Sequence, residues 1–204
     1  MIYLIGGSSR AGKSTLSKRV RKHIDGQVIS ADAFQASLHE ALKPEWEPDI
    51  FIDVVNPIGD KGSDEAKVKR GRERDNAMWQ FFAGYLKEAS HISDDDILLD
   101  GMLWPDFIAA FPMKHKAVFL VDTSPGQAER LIKIRDDGGS DNNWMGEHQY
   151  SDERIRKWVS FSIARSNLYI ELCKKYNYPY FDIADGGMQM AENCAFEHLL
   201  SKRV

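Results

Sequence analysis

A glycine-rich stretch near the start of the chain, GGSSRAGKST at residues 6–15, constrains the fold more than any other feature. It directly follows a short apolar run, residues 2–5, and precedes a segment with helical character. Residues 7–14 match the pattern G-x-x-x-x-G-K-[ST] at every position. The backbone N–H groups of such a strand–loop–helix unit can surround phosphate oxygens, so the sequence predicts a nucleoside triphosphate site at the end of the first strand.

Each part of this loop has a predicted role in phosphate binding. Lys13 is expected to reach the β- and γ-phosphates, Ser14 to supply a hydroxyl to Mg²⁺, and the helix that begins at Lys13 to point its positive end at the anion. Lys13 is therefore a candidate catalytic residue, and ATP and Mg²⁺ are the predicted cofactors. The predicted nucleotide-binding residues are Gly7, Ser8, Ser9, Arg10, Ala11, Gly12, Lys13, Ser14, Thr15 and, later in the chain, Arg130.

Four further apolar runs alternate with helical patterns along the chain. The predicted strands after the first span residues 27–30, 96–99, 117–121 and 178–183, and the predicted helices span 13–24, 33–42, 65–89, 125–135, 152–176 and 188–200. Ser124 followed by Pro125 predicts an N-cap and a first helical position. Strands that alternate with helices at this spacing predict an α/β fold with a parallel sheet covered by helices on both faces.

Two carboxylates follow predicted strands and are candidates for the chemistry. Asp32, in the segment SADAF, is predicted to accept the proton of an acceptor hydroxyl, and the alternative is that it caps the helix over 33–42. Asp100, in LLDG, is predicted to hold the Mg²⁺ or to orient an acceptor, and the alternative is that it caps the following turn. Ser14 and Asp100 are thus the predicted metal ligands.

Two segments break the alternation and predict functional loops. Residues 43–63 contain three prolines and fall within a predicted acceptor-binding insertion of about 43–75. Residues 136–151 are polar and rich in glycine, and they form a predicted lid. We expect one kinase-like domain over residues 1–204 that carries both segments.

Basic residues are concentrated near these two segments. Arg130 and Arg135 lead into the lid and are predicted to stabilise the charge on a transferred phosphoryl group, as catalytic residues. For each lid arginine a solvated helix face is the alternative, and the same holds for those beyond the lid, Arg154, Arg156 and Arg165. Five basic residues between Lys67 and Arg74 either bind a phosphorylated or nucleic-acid acceptor or form a solvated helix start.

The loop, Asp32, the Asp100-Gly101 pair and the lid together resemble the P-loop small-molecule kinases of the nucleoside-monophosphate-kinase-like group. The start MIYLIGGSSRAGKST, with SADAF and ILLDG after it, is especially similar to chloramphenicol phosphotransferase-like kinases. The resemblance implies a three-layer α/β/α P-loop NTPase fold with five parallel strands in the order 2-3-1-4-5. It also implies ATP-dependent transfer of the γ-phosphate to a hydroxyl, with Asp32 as the base and Arg130 over the adenine.

One departure from the nucleoside monophosphate kinases concerns the acceptor. After Asp100-Gly101 the chain reads Met102-Leu103-Trp104-Pro105, without the arginine that holds the acceptor's phosphate in those enzymes. This favours a neutral or hydrophobic small-molecule acceptor. The alternative functions are an NTPase or switch that acts on a protein partner and a polynucleotide 5′-hydroxyl kinase. The chain lacks the Asn-Lys-x-Asp tetrapeptide of GTPases and has no glutamate directly after Asp100, which disfavours the switch and motor classes.

Composition narrows the possible partners. The 27 Lys and Arg residues against 31 Asp and Glu residues give a net charge of -4, which disfavours binding to nucleic acid or to a membrane surface. Cys173 and Cys194 match no metal or redox spacing and favour a reduced, cytoplasmic setting. No apolar run approaches the roughly 18 residues of a membrane span, and the short N-terminal run is not expected to be a signal peptide. We expect a monomer or a homodimer.

Overall fold

A five-stranded parallel sheet in the order β2-β3-β1-β4-β5 forms the centre of the protein. The computed structural model describes residues 1–42, 62–138 and 144–201. The strands are β1 (Ile2–Gly7), β2 (Gly26–Ser30), β3 (Asp96–Asp100), β4 (His115–Val121) and β5 (Tyr180–Asp182). The predicted fold class and strand order are therefore confirmed, and β1 lies in the middle, so its carboxyl end opens at the centre of one sheet edge.

Eight α-helices are described, on both faces of the sheet. They are α1 (Lys13–Val20), α2 (Ala31–Leu42), α3 (Asp64–Ile92), α4 (Pro105–Ala109), α5 (Gln127–Asp137), α6 (Trp144–Glu147), α7 (Asp152–Tyr176) and α8 (Met188–Leu200). Serine caps begin the two longest: the hydroxyl of Ser63 accepts the N–H of Ala66 at 3.3 Å, and that of Ser151 accepts the N–H of Arg154 at 3.2 Å. The predicted bounds of α7 (residues 152–176) and of α8 (residues 188–200) are confirmed.

The predicted start of α5 is wrong. The helix begins at Gln127, two residues later than the Ser124-Pro125 signal indicates. The Ser124 hydroxyl donates a 2.5 Å hydrogen bond to a carboxylate oxygen of Asp122. This side chain therefore stabilises the turn before the helix and does not cap the helix. The five-residue helix α4, which begins at Pro105, was not predicted because its apolar pattern is too short to show a period.

Alternate side chains of each strand point to opposite layers, which is the period of a sheet covered on both faces. Leu4 and Leu99 are paired in register and face the layer that contains α3 and α7. Ile5 and Leu98 face the other layer, which contains α1 and α8. No helix in the described ranges is both long and apolar enough to cross a membrane.

The two predicted loop segments are only partly within the described residues. Residues 43–61 of the predicted insertion and residues 139–143 of the predicted lid lie outside them. The rest of the insertion, from Asp64 onwards, is helical, since it forms the first turns of α3. Within the lid, residues 144–147 form α6, and Asp152 begins α7.

Candidate active site

The glycine-rich loop crosses the end of β1 in close contact with β4. Gly7 has a φ of 123°, and a Cβ atom there would lie 1.8 Å from the carbonyl oxygen of Leu120. That same oxygen accepts the N–H of Ser8 at 2.9 Å. Gly12, with a φ of 87°, precedes the first residue of α1. Only glycine combines this backbone conformation with this approach, which is why the loop requires glycine at its beginning.

Lys13, the first residue of α1, is held beneath the loop. Its side chain is buried, and its Nζ atom donates a 2.8 Å hydrogen bond to the backbone carbonyl of Ser8. Burial lowers the pKa of the Lys13 ammonium below its ordinary value, while the negative charges of Asp32 and Asp100 act in the opposite direction. Within the described part of the chain the carbonyl of Ser8 is the one hydrogen-bond acceptor of this buried ammonium, so its electrostatic cost falls when an anion binds.

A cleft of about 640 Å³ opens beside Lys13 at the carboxyl edge of the sheet. This is where ligands bind in open α/β sheets. Of the predicted nucleotide-binding residues, Gly7, Ser8 and Ala11 are buried within the loop and do not line the cleft. The predicted residues that line the cleft are Ser9, Arg10, Gly12, Lys13, Ser14, Thr15, Asp32 and Arg130. The structure therefore brings together most of the residues that the sequence singled out.

Asp32 lies in the first turn of α2, with its side chain exposed in this cleft. The helix begins at Ala31, and the hydroxyl of Ser30 accepts the N–H of Ala33 at 3.3 Å. Ser30 is thus the capping residue, and the alternative that Asp32 only caps the helix is wrong. The carboxylate of Asp32 is left available to a ligand in the cleft.

Asp100, the last residue of β3, lies behind the cleft and is not part of its lining. Burial raises the pKa of its carboxyl group, and the hydroxyl of Ser17 and the positive charge of Lys13 act in the opposite direction. A serine hydroxyl and a carboxylate are oxygen donors of the kind that Mg²⁺ prefers. Ser14 and Asp100 therefore suit the ion in chemical type, and their role as metal ligands stays a prediction.

Arg130 reaches the cleft, and Arg135 does not. The guanidinium of Arg130 forms an ion pair with the buried carboxylate of Asp122 and lies 3.4 Å from the hydroxyl of Ser124. Arg135 instead pairs with Asp152 at 2.7 Å and donates to the backbone carbonyl of Tyr150 at 2.6 Å. The two arginines are five residues apart on α5, so their side chains leave the helix about 140° apart. This arrangement gives no support to the predicted catalytic role of Arg135.

A buried cluster of polar side chains beside the cleft was missed by the sequence analysis. Arg74 donates from Nε and Nη2 to Oδ1 of Asp75, at 3.1 and 2.7 Å. Oδ2 of Asp75 accepts Nη2 of Arg165 at 2.6 Å and the indole N–H of Trp104 at 2.9 Å. The Trp104 ring stacks on Tyr169 with centroids 4.1 Å apart. Arg74 and Arg165 line the cleft that contains Lys13 and Asp32.

The helical period of α3 contained a signal for this cluster. Val68, Gly71, Asp75, Trp79 and Phe82 follow a three- and four-residue spacing and are all buried. A carboxylate at one position of an otherwise apolar face predicts a buried polar partner, because a lone charge there is costly.

The basic residues at the start of α3 do not form one continuous patch. Arg72 pairs with Asp106 at 2.5 Å, with its guanidinium 4.7 Å from the centre of the Trp104 ring. Lys67 pairs with Asp64 on the same helix at 3.4 Å. Arg74 is buried, so a solvated helix start is the wrong interpretation for this member of the cluster.

Comparisons with known proteins support the fold. No family model and no curated protein matches the chain. A shikimate kinase from Bacteroides thetaiotaomicron superposes with a TM-score of 0.52 at 13% identity, over 98% of this chain and 96% of that one. A shikimate kinase from Acinetobacter baumannii has a TM-score of 0.47 at 15% identity, over 100% of this chain and 94% of that one. A deoxyadenosine kinase from M. mycoides has a TM-score of 0.44 at 15% identity, over 95% of this chain and 96% of that one. At 13% identity the likeness to the Bacteroides thetaiotaomicron protein shows the fold alone.

Proposed function

We propose that this protein is an ATP-dependent phosphotransferase that transfers the γ-phosphate of ATP to a hydroxyl group of a small molecule. One observation carries the proposal: the phosphate-binding loop with Lys13 and the available carboxylate of Asp32 line the same cleft. The loop suits a triphosphate, and a carboxylate in the same cleft suits a hydroxyl that must lose its proton. The similarity of the loop and of SADAF to chloramphenicol phosphotransferase-like kinases supports the same chemistry.

The residues of this cleft divide the reaction between them. Lys13 and the N–H groups of the loop bind the β- and γ-phosphates and hold the γ-phosphorus in place. The acceptor hydroxyl transfers its proton to the carboxylate of Asp32 as its oxygen bonds to the γ-phosphorus and the bond to ADP breaks. Mg²⁺, when bound near Ser14 and Asp100, would supply positive charge to the phosphate oxygens.

Arg130 is suited to the nucleotide side of the cleft. Its ion pair with Asp122 fixes the guanidinium, because the Asp122 carboxylate is fully buried and also accepts the N–H of Ser124 at 3.0 Å. A planar guanidinium held in this way can stack on a base or face a phosphate. We further propose a cytoplasmic enzyme, in keeping with the free thiols of Cys173 and Cys194.

The substitution Asp32→Asn tests the proposal. We expect it to slow phosphate transfer by about 10²- to 10⁴-fold, since the general base is lost. Binding of ATP with Mg²⁺ should stay within about threefold of wild type, because Asp32 does not belong to the phosphate loop. The assay detects phosphorylated products by mass spectrometry after incubation with pooled sugars, sugar acids, nucleosides and hydroxylated antibiotics.

Asp25→Asn is the matched control, because it removes the same charge from an exposed position at the opposite end of β2. It should leave transfer unchanged. Wild-type transfer rates in Asp32→Asn would contradict the assigned base. ATP hydrolysis that only a protein partner stimulates would favour the NTPase alternative instead.

A further inference from the structure

We propose that the acceptor carries an oxyanion, a carboxylate or a phosphate, and that Arg74 and Arg165 bind it. This inference rests on the proposed function, because it names the chemical class of the acceptor in that reaction. Both arginines line the cleft together with Asp32. An anionic group held there would be in the same cleft as the predicted base.

The charges of the buried cluster do not balance. Arg74, Asp75 and Arg165 are only 6%, 5% and 3% exposed. The two guanidinium groups share the one carboxylate of Asp75, at 2.7 and 2.6 Å. In the described parts of the chain no other carboxylate forms an ion pair with either arginine. Within ion-pair distance the cluster therefore holds one excess positive charge. The carboxylate of Asp32 also attracts Arg165 without forming an ion pair with it, and a buried charge of this kind favours a closer partner.

One hydrogen-bond donor of the cluster also lacks a partner among the described residues. Arg165 uses Nη2 to reach Asp75, and its guanidinium interacts with the hydroxyl of Tyr169, but no described acceptor meets hydrogen-bond geometry at its buried Nε. A buried donor without an acceptor is costly to the free protein. The planar edge of a guanidinium matches the two oxygens of a carboxylate or phosphate, so an oxyanion would supply both the missing acceptor and the missing charge.

The surrounding side chains hold the arginines in place. Asp75 also accepts the indole N–H of Trp104, whose ring lies 5.3 Å from the Arg165 guanidinium carbon and stacks on Tyr169. These contacts come from α3, α7 and the turn after β3, so the guanidinium groups are positioned before a ligand arrives. Binding by such a site loses little conformational entropy.

This inference replaces the expectation of a neutral acceptor. That expectation came from the absence of an arginine in the segment Met102-Leu103-Trp104-Pro105, which follows Asp100-Gly101. In the folded protein the positive groups come from two helices, α3 and α7. The sulfur of Met102 lies 3.7 Å from Nη2 of Arg74, so this arginine occupies the space beside that turn.

The test measures oxyanion binding with the nucleotide site already filled. Wild-type protein is saturated with Mg²⁺ and AMP-PNP, which occupies all three phosphate positions, and is then titrated calorimetrically with acetate and with inorganic phosphate. We expect saturable binding of at least one of them. Acetate binding would indicate a carboxylate acceptor, and phosphate binding would indicate a phosphorylated one.

The variants Arg165→Lys and Arg74→Gln should each weaken this binding at least tenfold while AMP-PNP affinity stays within threefold. Arg165→Lys keeps the positive charge opposite Asp75 and removes only the planar donor edge. We therefore expect this variant to lose less stability than Arg74→Gln, which removes a charge. Arg72→Gln is the matched control. It lies on the same helix and contacts Trp104, but it is not part of the cleft lining, and it should bind like wild type.

A second measurement uses three probes with one skeleton: glycerol, glycerate and glycerol 3-phosphate. We expect one of the two anions to bind at least tenfold more tightly than glycerol in the presence of AMP-PNP. Equal binding of all three, or oxyanion binding that the two arginine variants leave unchanged, would overturn the inference. If AMP-PNP itself does not bind to wild type, the proposed function fails and this inference falls with it. If AMP-PNP binds and no oxyanion does, only this inference fails.

Discussion

The two walls of the cleft achieve positive potential in different ways. The predicted nucleotide wall, residues 8–15, presents backbone N–H groups, one buried lysine and a helix N-terminus. The proposed acceptor wall, formed by Asp32, Arg74 and Arg165, presents charged side chains from three helices. Backbone dipoles cannot be exchanged by substitution, whereas the side chains of the acceptor wall can. We infer that the nucleotide wall fixes the reaction class and that the acceptor wall sets the choice of acceptor.

The difference also concerns what holds each wall in place. The nucleotide wall depends on a steric fit between Gly7 and the carbonyl of Leu120. The acceptor wall depends on the single carboxylate of Asp75, which accepts donors from Arg74, Arg165 and Trp104. A change at Asp75 should therefore damage the acceptor wall because a charge is lost. A change at Gly7 should damage the nucleotide wall because the added atoms overlap with Leu120.

The largest stability effect is expected for Asp75→Ala. It leaves two buried guanidinium groups without their shared carboxylate, and the loss of one partner of a buried pair costs about 3–5 kcal/mol. Asp106→Ala is the control, because its pair with Arg72 is about one-fifth exposed and should contribute about 1 kcal/mol or less. Urea unfolding measures both free energies. Similar small values for the two variants would mean that charge does not hold the acceptor wall.

Gly7→Ala should have the next largest effect and should act on the nucleotide wall. A left-handed backbone costs alanine about 1–2 kcal/mol, and the overlap with Leu120 adds about 1–3 kcal/mol. Gly84→Ala is the control, since no atom lies within 4 Å of the added carbon and the residue is inside α3. It should stabilise the protein by about 0.5–1 kcal/mol. Equal effects at the two glycines would contradict the steric account of the loop.

The smallest effect is expected at Asp100, which lies behind the cleft. Burial raises the pKa of this carboxyl above its ordinary value of 3.8, so the folded protein favours the protonated form. The stability that Asp100 contributes is therefore fully present below about pH 4 and is lost as the pH rises through the raised value. Asp100→Asn should remove this loss, so the variant should gain stability relative to wild type as pH increases.

Urea unfolding in metal-free buffer between about pH 4 and pH 7 measures this gain. Asp94→Asn, at an exposed position before β3, is the control and should show no such trend. A variant that loses stability relative to wild type as the pH rises would show that Asp100 is stabilised as an anion in the free protein.

The strand–loop–helix unit of the predicted nucleotide wall could be predicted from the sequence because it is local. The loop is contiguous, and strand, glycine and lysine lie within 15 residues of one another, so a pattern in the sequence is also an arrangement in space. The sheet order was predicted for a related reason: the resemblance carried by the loop and the strand-end aspartates implied it. The structure confirms that order.

The acceptor wall could not be predicted in the same way because its parts are distant in sequence. Asp75 and Arg165 are 90 residues apart, and only the packing of α3 against α7 brings them together. Arg74 was grouped with Arg72 as part of one basic cluster, although neighbouring positions on a helix point in different directions. Arg135 was paired with Arg130 for the same reason, and the turn of α5 separates them.

The most direct test of the account is calorimetric titration of wild-type protein with ATP, with and without Mg²⁺, alongside Lys13→Ala. We predict saturable binding that requires Mg²⁺ and weakens by about 10²- to 10³-fold in Lys13→Ala, since one charged contact to the phosphates is lost. Lys22→Ala, which removes a lysine from an exposed position past the end of α1, should bind like wild type. Absence of ATP binding to wild type, or equal affinity in Lys13→Ala, would contradict the assignment of this cleft as a nucleotide site.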